Sequence, residues 1–231
     1  MTTFLSRVLP RLAGLTHRPW PLSTTVAPQI DPKKRVEEEK TPLYNPDLFY
    51  PARLGEVLNN RYQIATKLGY GSNSTIWLAR DLDQCVTLGR FPMAIADCSR
   101  WCWLHERYVA LKMNACFPRS RTGTVRAERD TLQRISAGNP RHAGYPYVRH
   151  LLDSFEIENR SRKCLVLAFE PLREPLWIYR QRYVGDTIPS DIAKKMFRMI
   201  LLGLDYLHSE CHVIHTGLLP DHHLIFMFKE R

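Results

Sequence analysis

The sequence predicts an α+β fold in which strands come before the longest helix. Residues 62–80 have the pattern of two strands joined by a tight glycine turn. Residues 126–136 have the pattern of a helix, and residues 190–209 form the clearest helix of the chain. Three further strand candidates lie between residues 80 and 190. We therefore expect five strands with one helix interposed, followed by a long buried helix.

The strand predictions rest on short apolar runs bounded by turn residues. Gly69 and Gly71 mark the turn between the first two strands, and a polar turn separates the last two. The segments are residues 62–65, which begin the first strand, then 74–79, 108–112, 150–158 and 163–170. Together they predict a sheet that makes up most of the middle of the chain.

The two predicted helices differ in their apolar pattern. The first ends at Gly138-Asn139-Pro140, and the second opens with Pro189-Ser190, a typical start signal. The second helix is apolar around most of its circumference, so it should be buried on several sides. Its apolar residues are Ile192, Met196, Phe197, Met199, Ile200, Leu201, Leu204 and Leu207.

The composition is that of a folded protein that suits anionic partners. The chain has 231 residues, with 44% hydrophobic and 24% charged residues, and a net charge of +10. This charge favours nucleotides, acidic proteins, nucleic acid or anionic membranes without choosing among them. A role in direct nucleic-acid binding ranks last, because the folded part lacks clustered basic faces with interleaved aromatics. No apolar run is long enough to predict a membrane span or a membrane partner.

The six cysteines match neither a metal-binding spacing nor a disulfide framework. Cys164 lies in an apolar run at residues 164–169, where a buried thiol is the usual occupant. We therefore expect all six to be reduced and the protein to be intracellular. The cysteines are Cys85, Cys98, Cys102, Cys116, Cys164 and Cys211.

The N-terminal part of the chain differs from the rest in charge. Residues 1–30 contain several Arg, Ser and Thr residues and no acidic residue before Asp31. This composition is typical of a mitochondrial presequence, and equally of a disordered basic tail. Residues 31–61 carry a charge run at 33–40 and then aromatic and proline residues, so they are predicted to be a linker and lead-in segment.

Two features of the predicted sheet suggest phosphate chemistry. A glycine-rich turn at residues 68–76 lets backbone amides approach phosphate oxygens without Cβ clashes. Lys112 ends an apolar strand, where a charged group is costly to bury unless it meets a partner. Glu128 is the candidate partner, because Leu132 and Ile135 follow it as the buried stripe of its helix.

A third motif resembles a sequence found in a known protein family. Residues 204–216 (Leu-Asp-Tyr-Leu-His-Ser-Glu-Cys-His-Val-Ile-His-Thr) resemble the end of the central helix and the start of the catalytic loop in eukaryotic protein kinases. His215-Thr216 with Pro220-Asp221, and Ser74 at the third glycine position, resemble the SR-protein kinases. The lead-in at residues 44–56 looks like that of fungal members. The resemblance runs from about residue 36 onward, with a gap at about 85–106.

The resemblance implies a kinase-like fold with ATP and Mg²⁺ as cofactors. Residues 62–170 would form a complete five-stranded N-lobe with one helix. Residues 171–231 would form the hinge and the first helices of a partial C-lobe. Lys112, Glu128 and His215 would belong to the catalytic machinery. The ATP-binding residues implied are Leu68, Gly69, Tyr70, Gly71, Ser72, Asn73, Ser74, Thr75, Ile76, Ala110, Lys112, Phe169, Glu170 and Leu172.

The same resemblance implies individual roles, an acceptor and a location. Gly69 and Gly71 would cover the phosphates, Phe169 would be the gatekeeper, and residues 170–172 would be the hinge that holds adenine. Family members are serine/threonine kinases that phosphorylate serines in Arg/Ser-rich splicing proteins. They act in the cytoplasm and nucleus, whereas the basic N-terminus would also suit a mitochondrial protein.

The predicted catalytic loop departs from the family pattern at three positions. The family reads His-Thr-Asp-x-Lys-x-x-Asn, where the aspartate is the base and the asparagine binds metal. Here Gly217 stands at the base position, Leu219 at the lysine position and His222 at the asparagine position. No Asp-Phe-Gly triplet follows before Arg231, so we expect a truncated chain without an intact base or metal site. The alternative function is that of a pseudokinase fragment that binds nucleotide or a protein partner without phosphotransfer.

The segment at about residues 85–106 resembles nothing in the family. It interrupts the turn between the second and third strands. A retained intron translated in frame would explain it, as would a lineage-specific loop, because turns tolerate insertion cheaply.

Overall fold

The computed structural model of the chain describes residues 17–22, 31, 34–35, 37–40, 44–83, 106–116, 123–159 and 162–214. Within these ranges the chain forms one antiparallel sheet with helices that follow or cover it. The α+β fold class is therefore confirmed. No helix within them is long and apolar enough to span a bilayer.

Among the described residues the sheet has six strands in the order β1-β2-β3-β4-β6-β5, and each neighbouring pair is antiparallel. The strands are β1 (Val57–Leu58), β2 (Tyr62–Gly71), β3 (Ser74–Asp81), β4 (Arg107–Asn114), β5 (Leu151–Asn159) and β6 (Arg162–Phe169). Five of them match the predicted strands. The N-terminal end of the sheet thus adds one strand to the five expected.

The additional strand, β1, lies in the segment predicted to be a linker. It pairs Leu58 with Tyr62, so β1 and β2 form a hairpin. Asn59 and Asn60 make its turn with φ values of 50° and 52°, a left-handed conformation that asparagine tolerates better than most residues. The lead-in therefore joins the sheet before residue 62, while the exact domain boundaries stay predictions.

In the described part of the chain, three α-helices accompany the sheet. Helix α1 spans Gly123–Ala137, α2 spans Leu176–Arg180 and α3 spans Ser190–Asp205, which continues into a π-helical turn at Tyr206–Glu210. Short 3-10 turns occur at Glu37–Lys40, Pro46–Leu48, Tyr145–Tyr147 and Val184–Asp186. The helix and strand order therefore follows the order expected from the sequence.

The alternation of β4 separates the two faces of the sheet. Val109, Leu111 and Met113 point into the main core, whereas Lys112 lies on the opposite face, toward α1. The aromatic lead-in residue Tyr50 packs against this core. The buried members of the core are Leu58, Tyr62, Ile64, Ala79, Val109, Leu111, Met113, Val166 and Ala168.

Two smaller clusters connect the sheet to the helices. Leu132 of α1 packs against Leu165, Leu167 and Phe169 of β6. Ile135, one turn later on α1, is buried with Val148, Tyr206, Leu207 and Cys211 beyond the end of α3. Since Leu132 and Ile135 are the stripe expected on this helix, α1 covers one sheet face in the orientation that the sequence indicates.

The prediction that all six cysteines are reduced is wrong for one pair. Cys116, just after β4, and Cys164 on β6 are joined by a disulfide, and both are fully buried. The two strands lie next to each other in the sheet, which brings together cysteines 48 residues apart. Cys211 is a buried free cysteine, while Cys85, Cys98 and Cys102 lie outside the described residues.

The expectation that α3 is buried on several sides is also wrong for the described structure. Only Met196 and Gly203 of this helix are buried, and Phe197 and Leu201 are 65% and 64% exposed. The buried side faces the loop before β5, because a Cβ placed on Gly144 would lie 1.8 Å from the Leu202 carbonyl oxygen. The described residues therefore cover one side of an apolar helix and leave the other exposed.

Candidate active site

The glycine-rich turn joins β2 to β3 and presents open backbone. Gly71 pairs with Ser74, and β2 is irregular between Lys67 and Gly69. A Cβ on Gly69 would meet nothing within 4 Å, so the missing side chain leaves space above the backbone there. The Asn73 carbonyl oxygen accepts a 2.8 Å hydrogen bond from the Ala115 amide, which ties the turn to the end of β4.

Lys112 lies at the centre of the sheet and forms an ion pair with α1. Its Nζ is 2.5 Å from Oε1 of Glu128. The second carboxylate oxygen accepts a hydrogen bond of 3.3 Å from Nδ2 of Asn114. Lys112 and Glu128 are 29% and 37% exposed in their side chains, so the pair remains open to a ligand. The structure thus brings these two predicted residues together and adds Asn114, which the motif analysis missed.

An apolar surface lies beside the ion pair. Ala110 and Phe169 are register partners on β4 and β6, and both are buried. Ile76 pairs with Lys112 from the β3 side, which places it next to the same surface. Leu68 and Tyr70 of the glycine-rich turn are exposed. The remaining predicted turn residues are Ser72 and Asn73 at the bend, with Ser74 and Thr75 opening β3.

Behind Phe169 lies a cation that the sequence analysis did not identify. The Arg149 guanidinium carbon is 4.0 Å from the centre of the Phe169 ring, a cation–π contact. Burial lowers the pKa of Arg149 to about 10. Glu170 and Leu172 follow Phe169 outside any helix or strand, with Glu170 exposed and Leu172 half-buried. The predicted hinge therefore leaves β6 directly beside this pair.

The predicted catalytic loop lies outside the described residues, which end at residue 214. This applies to His215, Gly217, Leu219 and His222. Within the ranges that are described, no group of three or more His, Cys, Asp or Glu side chains could hold a metal ion.

The arrangement is suited to a ligand with a flat apolar part and an anionic part. Ile76 is half-buried beside Lys112, the buried Ala110 and Phe169 form the apolar floor under this side of the sheet, and Lys112 adds a positive charge next to them. The open backbone at Gly69 allows close approach of anionic oxygens. Glu128 holds the lysine in position, so that the cation is oriented before a ligand arrives.

Comparison with known proteins gives several relatives along most of the chain. A serine/threonine protein kinase of Aspergillus fumigatus is 35% identical over 193 residues, covering 84% of this chain and 42% of the relative. Protein kinase dsk1 of Schizosaccharomyces pombe is 32% identical over 203 residues, covering 85% of this chain and 33% of the relative. SRSF protein kinase 3 of Mus musculus is 30% identical over 192 residues, with coverages of 82% and 30%.

A protein of known structure has a similar fold. A crystal structure of a kinase domain matches with a TM-score of 0.54 and 21% sequence identity, covering 75% of this chain and 42% of that one. No protein-family model matches the chain. The chain spans less than half the length of the curated relatives described above.

Proposed function

Because the chain is a relative of the serine/threonine protein kinases, including the SR-protein kinases, we propose that it is a kinase-type protein that binds ATP on the Lys112 face of the sheet. The contact between Lys112 Nζ and Glu128 Oε1 carries this proposal. In protein kinases a lysine on the third strand and a glutamate on the following helix form this ion pair, and both must be in place for phosphoryl transfer.

Each residue of this site is then proposed to contact a particular part of ATP. Lys112 neutralises the α/β-phosphate oxygens, and Glu128 with Asn114 keeps it aligned. The open backbone at Gly69 allows the turn to close over the phosphates. Ile76 and Leu68 offer the accessible apolar contacts for adenine over the buried floor of Ala110 and Phe169, and the backbone of residues 170–172 holds its polar edge.

The role of Mg²⁺ stays a proposal from the resemblance alone. When bound with ATP, the metal would neutralise charge on the phosphates. The described residues contain no set of ligands for it, and His222 occupies the position where the family has a metal-ligating asparagine. We therefore assign no step to the metal.

The proposed acceptor is a serine of a protein substrate. Two relatives are a protein kinase of fission yeast and an SRSF protein kinase of mouse. By this similarity, serines in Arg/Ser-rich splicing factors are the substrate class that we propose, with the γ-phosphate transferred to the serine hydroxyl. An intracellular location in the cytoplasm and nucleus belongs to the same proposal.

A second candidate function is nucleotide binding without phosphotransfer. Gly217 stands where a kinase has its catalytic aspartate, and glycine cannot accept the proton of the serine hydroxyl. Leu219 also lacks the charge of the family's lysine. For the chain as printed, we propose that ATP binds but that phosphate transfer is lost or very slow, because positioning supplies most of this catalysis.

A phosphotransfer assay separates the two candidates. The chain, its Lys112→Ala variant and its Gly217→Asp variant are incubated with Mg·ATP and an Arg/Ser-rich peptide. Binding without transfer predicts that the unmodified chain and Lys112→Ala give the same background signal. Turnover of the unmodified chain that disappears in Lys112→Ala would show instead that the protein is an active kinase. Turnover in Gly217→Asp alone would identify the missing carboxylate as the cause.

A further inference from the structure

A short N-terminal segment, residues 17–22, packs against strands of the sheet that come more than 40 residues later in the sequence. The His17 amide donates a 2.8 Å hydrogen bond to the carbonyl oxygen of Leu82, just after β3. This is the end of the β2–β3 hairpin opposite the glycine-rich turn. The segment reads His-Arg-Pro-Trp-Pro-Leu, with Trp20 between two prolines. We call it the N-terminal strap.

The side-chain amide of Gln63 forms hydrogen bonds with both the backbone amide and the backbone carbonyl of Trp20. Its Oε1 accepts a 2.8 Å hydrogen bond from the Trp20 amide, and its Nε2 donates a 2.9 Å bond to the Trp20 carbonyl oxygen. A further 3.1 Å bond links Nε2 to the Gly55 carbonyl oxygen. Gln63 is 1% exposed, and a buried amide that loses its hydrogen-bond partners destabilises the fold. Removing the strap would leave this side chain with one partner among those three.

Arg80 recognises the strap from the same face. Its guanidinium carbon is 4.8 Å from the centre of the Trp20 indole, and its Nη1 donates a 3.2 Å hydrogen bond to the Arg18 carbonyl oxygen. The Tyr108 ring lies 6.4 Å from the indole. Arg80 is buried and also pairs with Glu106 at 3.1 Å. The strap thus supplies a carbonyl and an aromatic face to a buried cation.

The strap sequence is suited to an extended bound form. Pro19 and Pro21 fix their own φ angles, and Pro21 also restricts Trp20 to extended conformations. Such a segment loses less conformational entropy on binding than a flexible one. Gly55 makes room for its end, because a Cβ at this position of positive φ would lie 2.8 Å from Leu22 Cδ2.

We propose that this face of the sheet, formed by Gln63, Arg80, Tyr108 and Gly55, is a binding site for a short extended peptide with a tryptophan between two prolines. The N-terminal strap is its intramolecular ligand. Two buried polar side chains with partners on the strap mark the site as built for a peptide. The site lies at the opposite end of the hairpin from Lys112 and does not depend on nucleotide binding.

Hydrogen exchange of the full chain tests the site without any substitution. The Trp20 amide should exchange at least tenfold more slowly than the same amide in a capped peptide of residues 17–22, because it donates to a buried oxygen. Exchange at the peptide rate would overturn the proposal. Protection that increases with protein concentration would show that a second copy supplies the segment, and would overturn the intramolecular assignment.

Two variants then test the residues that bind. Gln63→Leu should return the Trp20 amide to the exchange rate of the peptide while the β4 amides stay protected. Slow exchange at Trp20 in that folded variant would overturn the role of Gln63.

A binding experiment tests Trp20. The Trp20→Gly variant should bind a labelled peptide of residues 17–22 in trans at least tenfold more tightly than the unmodified chain does. Trp177→Gly is the matched control, because Trp177 lies on α2 with a similar exposure. This variant should bind the peptide no more tightly than the unmodified chain does. Equal peptide binding by Trp20→Gly and Trp177→Gly would contradict the proposal.

Discussion

The sheet and helix α3 use the same kinds of apolar side chain but bury them very differently. Leu111 on β4 is fully buried, whereas Leu201 on α3 is 64% exposed. In the sheet, every second residue of β4 points into a core that is formed by neighbouring strands and covered by lead-in residues such as Tyr50. A helix that is apolar around most of its circumference needs covering layers on several sides, and the described residues supply one. The described residues thus cover the core face of the sheet, whereas they leave one side of α3 exposed.

Truncating one leucine in each region should give the largest difference in the free energy of unfolding. Leu111→Ala should lower the free energy of unfolding by about 2–5 kcal/mol, because it removes buried methyl groups and leaves a cavity. Leu201→Ala should change it by less than about 0.5 kcal/mol, since its side chain is largely exposed. Urea unfolding followed by circular dichroism measures both. Equal losses would show that α3 is covered as well as the sheet.

Breaking the Cys116–Cys164 disulfide should weaken the sheet next most strongly. The bond closes a loop of 48 residues, so its loss should cost about 2–4 kcal/mol. Urea unfolding with and without a reductant measures the difference. The Cys116→Ser/Cys164→Ser variant is the control, because it has no bond left to reduce. A reductant effect of equal size in that variant would mean that this disulfide is not the source.

A smaller effect should come from Tyr62 at alkaline pH. Burial, and then its hydrogen bond to Asp153, raise the pKa of Tyr62. A group with a raised folded-state pKa contributes stability that is fully present below its unfolded pKa of about 10 and is lost as the pH rises toward the folded value. Between pH 9 and 11 this loss should reach about 1 kcal/mol, and Tyr62→Phe should remove it. Unfolding measured across this range would contradict the assignment if both proteins showed the same slope.

Much of the sheet could be predicted because its signals are local. The alternation in β4 and the glycine turn identify strands by themselves, and the spacing of Leu132 and Ile135 shows which face of α1 carries Glu128. The strand β1 is harder, since it has two residues and only the Asn59-Asn60 pair marks its turn. Local pattern therefore accounts for the elements that hold Lys112 and Glu128.

The remaining features depend on residues that are far apart in the sequence. Gln63 meets Trp20 across 43 residues, and Cys116 meets Cys164 across 48, with no spacing motif in either case. Asn114 and Arg149 gain their contacts with Glu128 and Phe169 only once the sheet has formed. The apolar composition of α3 does predict a need for cover, and the structure shows that Phe197 and Leu201 lie on the side that the described residues leave open.

Nucleotide titration of the full chain tests the central claim most directly. Calorimetry with ATP compares the unmodified chain with Lys112→Met and with Lys195→Met, a control at an exposed lysine on α3. Binding that weakens at least tenfold in Lys112→Met but not in Lys195→Met is the result that the Lys112–Glu128 site predicts. Equal binding by all three proteins, or no binding by the unmodified chain, would contradict it.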